Sequence, residues 1–468
     1  MTREVDVAIL GAGSAGLFVL SQVKRETDNY VLINGGELGT TCARVGCMPS
    51  KVLIQVAEDF HRKSIFDREG IDGAEELSVD VPASMEHVQD LRDVFVDKTL
   101  SVTDMMDETH LIDGYAKFIA NDTIEVNGEQ IKAKCIVIAT GSTPVVPAAW
   151  EEFKEHIITT DDFFELEDLP ASMAVIGLGS IGLEIGQSMQ RLGVAVTGVD
   201  QLANVAKLED DKVNEMALTV IGREMPLWLG EPATLEAVDG GIQVTAGENQ
   251  VVVDKIFASL GRKPNLEEIN LGVTDIVMDE AGIPIYDPLT MQVGDLPVFI
   301  AGDVNADRPI LHEAGHEGRV AGCNVMHLVN SKPLESFKRK VPIGITFCDP
   351  NIATAGAQLS ELDQDTIVIG EIQFAPVGRA LIIGKNRGVL RLYVRKTDGL
   401  LLGASMCCVK AENLAHLIAW SIQQGMTIFD ILKMPFYHPV IEEALQAALY
   451  NALSQLDGDY HLVELERL

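Results

Sequence analysis

The chain has 468 residues, 47% of them hydrophobic, and a formal net charge of −34. Its length predicts about three domains, and its charge argues against nucleic acid or a membrane surface as a partner, because their phosphates would repel it. It contains no apolar run of membrane-spanning length and no signal-peptide pattern, so we expect a cytoplasmic protein. The seven cysteines are an odd number, which disfavours a secreted disulfide framework.

The N-terminal segment predicts a βαβ unit. Residues 5–10 form a short apolar run typical of a buried parallel strand, and residues 11–16 follow with the pattern Gly-x-Gly-x-x-Gly. A helix is expected to about residue 26 and a second strand over residues 30–33. This order is typical of a dinucleotide-binding turn.

Two cysteines, Cys42 and Cys47, follow this unit within a short loop. A disulfide across so short a loop removes little chain entropy, so it favours an exchangeable redox bond over a structural one. The ordinary alternative is a pair of buried, unreactive cysteines. Arg44 lies between them and could lower a thiol pKa, select an anionic substrate, or simply face solvent.

Residues 173–184 repeat the order of strand, glycine turn and helix, and a strand follows over 194–200. One such fingerprint is weak evidence for a nucleotide site. Two fingerprints, each after a predicted strand and before a predicted helix, indicate two nucleotide-binding domains. Between them lie a charged, helix-rich segment (52–110) and a strand that ends in a tight turn (135–144). Residues 298–303 form a strand that ends at an acid. From about residue 341, short strands (389–394, 400–404) alternate with helices (411–424, 441–456), which predicts an α+β dimerisation domain.

Seven motifs, taken in order, resemble those of the flavin-dependent pyridine nucleotide–disulfide oxidoreductases over almost the whole chain. They are the two glycine fingerprints, Cys-x4-Cys-x-Pro-Ser-Lys, Ala-Thr-Gly-Ser from Ala139, Gly-Arg-x-Pro-Asn from Gly261, Ala-Gly-Asp from Ala301, and His-Pro-Val-Ile-Glu-Glu from His438. Within that family the motifs are most similar to those of the dihydrolipoamide dehydrogenases.

The resemblance implies an α/β fold with two Rossmann-like dinucleotide-binding domains plus an α+β C-terminal dimerisation domain. The expected boundaries are 1–145 for the first part of the FAD-binding domain, 146–270 for the NAD-binding domain, 271–340 for the second, central part of the FAD-binding domain, and 341–468 for the dimerisation domain.

The resemblance also implies a homodimer that oxidises dihydrolipoamide on a lipoyl-carrying partner and reduces NAD⁺ through FAD. Cys47 would exchange electrons with the flavin, and Cys42 would form the mixed disulfide with substrate. The base would act across the dimer interface, and a buried ion pair would lie beside the flavin. The implied catalytic residues are Cys42, Cys47, His438 with its orienting Glu443, and the ion pair Lys51 and Glu184.

The same resemblance implies two sets of cofactor contacts and no metal site. The FAD set is Gly11, Gly13, Gly16, Asn34, Thr41, Lys51, Ala116, Thr140, Gly141, Gly302, Asp303 and Leu311. The NAD set is Gly177, Gly179, Ser180, Ile181, Gly182, Asp200, Gly261 and Arg262. Asp200 favours NAD over NADP, since a carboxylate accepts bonds from ribose hydroxyls and repels an extra phosphate. Asn34 and Ser180 depart from the acid and the frequent tyrosine of the family.

Two other functions remain open on the sequence. The first is an NAD(P)H-dependent reductase of another disulfide or of a metal ion. The adjacent Cys407 and Cys408 suggest such a role, because vicinal cysteines occur in mercuric reductase. The second is an oxidoreductase-like subunit whose main role is to bind a multienzyme core through its acidic surface.

Overall fold

The computed structural model describes residues 2–457 and Leu465. The first nucleotide-binding unit is built on a mainly parallel sheet. The strands of this unit are β1 (Arg3–Leu10), β2 (Tyr30–Asn34), β3 (Leu111–Asp113), β4 (Lys117–Ala120), β5 (Thr123–Val126), β6 (Glu129–Ile138) and β7 (Ser142–Pro144). Strand β7 lies outside the main sheet. The helices of this unit are α1 (Ser14–Val23), α2 (Thr41–Val45), α3 (Cys47–His61), α4 (Phe66–Glu69) and α5 (Val81–Leu100). Strands β3, β2, β1 and β6 are parallel neighbours, and β5 and β4 extend the sheet antiparallel.

The register of this sheet brings three functional strand ends together. Leu10 of β1 is aligned with Ile33 of β2 and with Ile138 of β6. The glycine turn, Asn34 and the turn after β6 therefore leave the same carboxyl edge. In open α/β sheets this edge is where ligands bind.

The second unit repeats this design around a five-stranded parallel sheet in the order β11, β10, β9, β15, β8, and adds an antiparallel meander of β12 to β14. Its strands are β8 (Ile157–Ile158), β9 (Ser172–Ile176), β10 (Ala195–Asp200), β11 (Leu227–Leu229), β12 (Thr234–Val238), β13 (Gly241–Ala246), β14 (Asn249–Val253), β15 (Lys255–Ala258) and β16 (Arg262–Pro264). Its helices are α6 (Thr160–Phe163), α7 (Ser180–Arg191) and α8 (Asp211–Ile221). Strand β16 pairs with β7 and so joins the two units.

After the second unit the chain returns to the first. Strand β17 (Val298–Ile300) adds in parallel beside β6, and helix α9 (Leu311–Val329) packs on α1. A Cβ on Gly318 of α9 would lie 2.5 Å from the backbone oxygen of Ala15, so glycine is required for this close helix packing.

The C-terminal domain is an antiparallel sheet in the order β18, β19, β22, β21, β20, covered by helices. Its strands are β18 (Ile343–Thr346), β19 (Asn351–Gly356), β20 (Ile367–Gln373), β21 (Val389–Arg395) and β22 (Leu401–Cys408). Its helices are α10 (Gly378–Ile382), α11 (Ala411–Gln423), α12 (Ile428–Leu432) and α13 (Glu443–Leu453). The predicted fold class is confirmed.

Some element bounds differ from the prediction. Helix α1 ends at Val23. Residues 24–26 form a turn with hydrogen bonds that span three residues, from Arg25 N–H to the Gln22 oxygen and from Glu26 N–H to the Val23 oxygen. The short α12 was not predicted, and β22 continues to Cys408. Among residues 2–457, none of the helices combines the length and apolar character that a membrane crossing requires.

Candidate active site

The first glycine fingerprint is shaped by close backbone contacts. Gly11 has φ +109°, and a Cβ there would lie 2.3 Å from the Ala139 oxygen. A Cβ on Gly16 would lie 1.9 Å from the Gly11 oxygen, whereas one on Gly13 would meet nothing within 4 Å. The outer glycines are therefore required by the fold. Gly13 leaves the backbone open at the start of α1, where a pyrophosphate would bind helix N–H groups.

The second fingerprint has the same geometry. Gly177 has φ +98° and approaches the Ser259 oxygen, and Gly182 approaches the Gly177 oxygen, so a Cβ on either would clash. A Cβ on Gly179, by contrast, would meet nothing within 4 Å at the start of α7. The chain thus offers two cradles that fit two dinucleotides.

Asn34 and Asp200 hold equivalent positions at the ends of β2 and β10. The Asn34 amide oxygen accepts the Ala12 N–H at 3.0 Å, and an Asp200 oxygen accepts the Leu178 N–H at 2.6 Å. The Asn34 amide nitrogen also donates to the Gly36 oxygen at 2.6 Å, a bond that a carboxylate could not make. Asn34, which stands where the family has an acid, therefore stabilises the backbone after β2 through its amide group.

The two cysteines lie at a helix junction. Cys42 is in α2, and Cys47 is the first residue of α3, where helix N–H groups favour an anion. Both thiols are free. A hydrogen bond from Cys42 outweighs desolvation and, with the charge of Lys51, lowers the pKa of Cys47 to about 7. The same hydrogen bond, together with burial, raises the pKa of Cys42. The pair is therefore asymmetric: the Cys47 thiol loses its proton more readily than the Cys42 thiol.

The predicted ion pair is present. Lys51 Nζ lies 2.7 Å from Glu184 Oε2, and its ammonium lies 4.6 Å from the centre of the Phe347 ring. The Glu184 side chain is 6% exposed, and its other oxygen accepts the Phe347 N–H at 2.9 Å. This pair joins α3, which carries Cys47, to α7 of the second unit.

Arg44 forms an ion pair with Glu37, an exposed carboxylate in the loop before α2. Of the three alternatives for Arg44, a free charge that lowers a thiol pKa is therefore disfavoured, because Glu37 compensates it. Lys51 is the cation that acts on Cys47.

His438 and Glu443 form the predicted pair in the C-terminal domain. His438 Nδ1 lies 2.8 Å from Glu443 Oε1, and the other Glu443 oxygen accepts the Val440 N–H at 3.0 Å. The hydrogen bond from His438 lowers the pKa of Glu443. Because Nδ1 faces a carboxylate, Nε2 remains available to take a proton. The His438 side chain is 81% exposed in this chain, so Nε2 is open to an approaching group.

Asp303, which follows β17, lies in a hydrogen-bonded group between the two units. Its Oδ2 accepts the Ser142 hydroxyl at 2.9 Å, and Arg262 donates to the Ser142 hydroxyl at 2.9 Å and to its backbone oxygen at 2.7 Å. Arg262 was predicted among the NAD contacts, and the structure places it on the β16–β7 pair. Sequence reasoning missed Glu317 of α9, a buried carboxylate that accepts the Gly302 N–H at 2.8 Å.

The other predicted contacts lie in different surroundings. Thr41, Ile181 and Leu311 are exposed at the starts of α2, α7 and α9. Residues near the ends of β6 and β15 are bonded within the fold, including Thr140, Gly141 and Gly261. Ala116 is buried and belongs to the core of the first unit. The Ser180 hydroxyl shares a 2.6 Å hydrogen bond with Thr346 of β18.

Cys407 and Cys408 do not form a facing pair. They are consecutive residues of β22, whose side chains point to opposite faces. Cys407 packs with Cys348 in the core under α3 and α7, and Cys408 packs in the core of the C-terminal domain. Both are fully buried, which raises their pKa values. They are therefore apolar core residues in this structure.

Comparison with protein families gives two matches that cover most of the chain. The description "Pyridine nucleotide-disulphide oxidoreductase" matches residues 5–318, and the dimerisation domain of the same family matches residues 343–449.

Curated relatives share about a quarter of their residues with this chain. A mercuric reductase of Staphylococcus aureus is 27% identical over 95% of this chain and 82% of its own. A dihydrolipoyl dehydrogenase of Haloferax volcanii is 27% identical over 96% of both chains, and that of Bacillus subtilis is 26% identical over 96% of this chain and 97% of its own.

Solved structures show the same fold. The HOCl-induced flavoprotein disulfide reductase RclA from Escherichia coli superposes with a TM-score of 0.81, at 21% identity, over 97% of this chain and 100% of its own. A Cu(II) complex of that protein gives a TM-score of 0.82 at 21% identity, over 96% of this chain and 99% of its own.

Proposed function

The chain belongs to the pyridine nucleotide-disulphide oxidoreductase family, and within it we propose that this protein oxidises dihydrolipoamide on a lipoyl-carrying partner and reduces NAD⁺. The observation that carries the proposal is the placement of Cys42 in α2 and Cys47 at the first residue of α3, together with the His438–Glu443 pair of the C-terminal domain. The lowered pKa of Cys47 beside Cys42 supports it. Bound FAD would accept the electron pair from the cysteines and deliver it to the nicotinamide.

The asymmetry suits dithiol exchange at Cys42. A substrate thiol loses its proton to His438 and attacks Cys42 of the Cys42–Cys47 disulfide. The S–S bond breaks, and Cys47 leaves as a thiolate, which its low pKa favours. The second substrate thiol then attacks the substrate sulfur of the mixed disulfide. His438 returns its proton to the departing Cys42 thiolate and then takes up the proton of the second substrate thiol, and the substrate departs as a cyclic disulfide.

His438 is proposed to serve the cysteine pair of the second subunit of a homodimer. The dimerisation domain of the family covers the segment that carries it. The imidazole is exposed on its own subunit, and Glu443 holds its Nδ1. A carboxylate in that position orients the ring and stabilises the charged form that proton transfer creates.

NAD⁺ is the proposed acceptor because of Asp200. Its carboxylate is held at the end of β10 by the N–H groups of Leu178 and Leu202. A fixed negative charge at this point accepts ribose hydroxyls and repels the extra phosphate of NADP. Residues 201–206 contain no arginine that would compensate.

A second candidate function is the reduction of a metal ion or of another disulfide. The likeness to a mercuric reductase at 27% identity supports it, as does the unusual Arg44 between the cysteines. The burial of Cys407 and Cys408 on opposite faces of β22 weighs against a metal relay through them.

A comparison of steady-state rates tests the proposal. The FAD-loaded enzyme is assayed with dihydrolipoamide and either NAD⁺ or NADP⁺, and with NADH or NADPH and either Hg²⁺ or oxidised glutathione. We expect turnover with dihydrolipoamide and a preference for NAD⁺ of about 100-fold in kcat/KM. Faster turnover of Hg²⁺ or glutathione disulfide than of dihydrolipoamide would support the second candidate instead.

A further inference from the structure

A cluster of three potential metal ligands lies at the C-terminal end of α9, on the first nucleotide-binding unit. Cys323 and His327 are four residues apart on the helix, so their side chains share one face. Glu335 lies in the segment that follows the helix. The thiol sulfur, an imidazole nitrogen and a carboxylate oxygen of these residues all lie within 4.8 Å of one another.

The imidazole of His327 is already oriented as a ligand. Its Nδ1 lies 2.8 Å from the backbone oxygen of Pro333. A carbonyl can only accept, so Nδ1 carries a proton, and in the neutral imidazole the lone pair is on Nε2. Nε2 lies 4.0 Å from Glu335 Oε1. Histidines that bind metals commonly donate their other ring N–H to a carbonyl in this way.

The position of Glu335 is fixed by its backbone rather than by its side chain. Asn324 of α9 is fully buried, donates to the Glu335 oxygen at 2.9 Å and accepts the Glu335 N–H at 2.8 Å. It also donates to the Thr290 oxygen at 3.0 Å. The Glu335 side chain is 59% exposed and free to turn toward the histidine.

We propose that Cys323, His327 and Glu335 form a zinc-binding site with a fourth position left for water. Sulfur, nitrogen and oxygen in one set is typical of Zn²⁺, whereas Mg²⁺ and Ca²⁺ prefer oxygen alone. Zinc bonds of about 2.0 to 2.3 Å bring tetrahedral ligand atoms to roughly 3.5 Å from one another, a small side-chain movement from the present separations. The site is separate from the cysteine pair and does not depend on the proposed function.

Equilibrium dialysis against Zn²⁺, with Mg²⁺ in excess, tests the site. The FAD-loaded protein carries Cys42→Ser and Cys47→Ser, because the redox thiols could themselves bind zinc. We expect about one Zn²⁺ per chain, and at least a tenfold weaker affinity after His327→Gln or Cys323→Ala. His87→Gln, on the exposed face of α5, is the matched control and should retain the zinc.

A second readout does not depend on variants at the site. Zinc should slow the alkylation of Cys323 by iodoacetamide at least tenfold, as measured by peptide mass spectrometry. Equal zinc binding by the parent and the His327→Gln protein, or equal alkylation of Cys323 with and without zinc, would overturn the proposal. Either result would leave a histidine–glutamate pair beside an ordinary thiol.

Discussion

At the scale of single residues, the hydrogen bond between Cys42 and Cys47 sets the chemistry of the pair. It is the largest cause of the lowered pKa of Cys47. Cys42→Ala removes the donor, so the pKa of Cys47 should rise from about 7 toward the ordinary thiol value of about 8.5. Cys42→Ser keeps a donor and should hold the pKa near its present value. Rates of alkylation of Cys47 against pH measure both.

Only the thiolate form of Cys47 is alkylated, so the rate of alkylation at a given pH falls when the pKa of Cys47 rises. At neutral pH the alanine variant should react more slowly than the serine variant, and the two rates should converge at high pH. Equal pKa values in the two variants would show that Lys51 and the N-terminus of α3, rather than Cys42, lower the pKa.

The family resemblance implied the ion pair of Lys51 and Glu184, which are 133 residues apart. Residue identity alone predicted the glycines, through their local motifs. It could not predict contacts between residues distant in sequence, such as the bond of Ser180 to Thr346 or that of Glu317 to Gly302. The donor bond of Asn34 to Gly36 was missed for another reason, since only the backbone path after β2 shows it.

At the scale of elements, an ionic network around the buried Arg191 joins α7 to the C-terminal domain. Arg191 of α7 is 5% exposed and contacts Glu224 at 2.7 Å and Asp349 at 3.1 Å. Lys385 contacts the same Asp349 and also Glu58 of α3. Removing Arg191 leaves two half-buried carboxylates with less positive charge to compensate them.

Arg191→Met should therefore lower the free energy of unfolding by about 3 kcal/mol. The matched control is Arg395→Met, which breaks the exposed pair with Asp398 and should leave stability unchanged. Denaturant unfolding of the FAD-loaded protein, followed by circular dichroism, compares the two. An unchanged midpoint for Arg191→Met would show that the network is not a source of stability.

The same network predicts a dependence on pH. Burial raises the pKa of Asp349, but Lys385 and Arg191 outweigh it, so the pKa is lowered below 3.8. A lowered folded pKa gives stability that is present above the unfolded pKa and is lost as pH falls through the folded pKa. In Arg191→Met the folded pKa of Asp349 should rise toward its unfolded value, so the loss of stability on acidification should be smaller and should end at a higher pH.

Whether a segment is a helix or a strand was predictable where the pattern of apolar residues was clear. Short apolar runs before the glycine turns gave β1 and β9, and the C-terminal helices lay close to their predicted bounds. The end of β22 was not predicted, because a run of apolar residues does not show where a strand stops. The sequence suggested a paired role for Cys407 and Cys408 because vicinal cysteines occur in mercuric reductase, whereas a strand separates neighbouring side chains onto opposite faces.

At the scale of the whole molecule, the proposed active site needs two subunits. Mixing a Cys42→Ser subunit with a His438→Ala subunit tests this, since each homodimer should be inactive. In a mixed dimer, one site would combine an intact cysteine pair from one subunit with an intact histidine from the other. Random mixing should restore about a quarter of the parent activity. No recovered activity in mixed dimers that still bind FAD would place both groups within one subunit.

We propose that electrons pass from a dithiol through Cys47 and FAD to NAD⁺. An anaerobic visible titration with dihydrolipoamide, followed by NAD⁺, tests it most directly. We predict a long-wavelength charge-transfer band from the Cys47 thiolate beside oxidised flavin, which bleaches as NADH forms. A flavin that is reduced by NADH but shows no response to dihydrolipoamide would contradict the claim and direct attention to Arg44 and to another substrate.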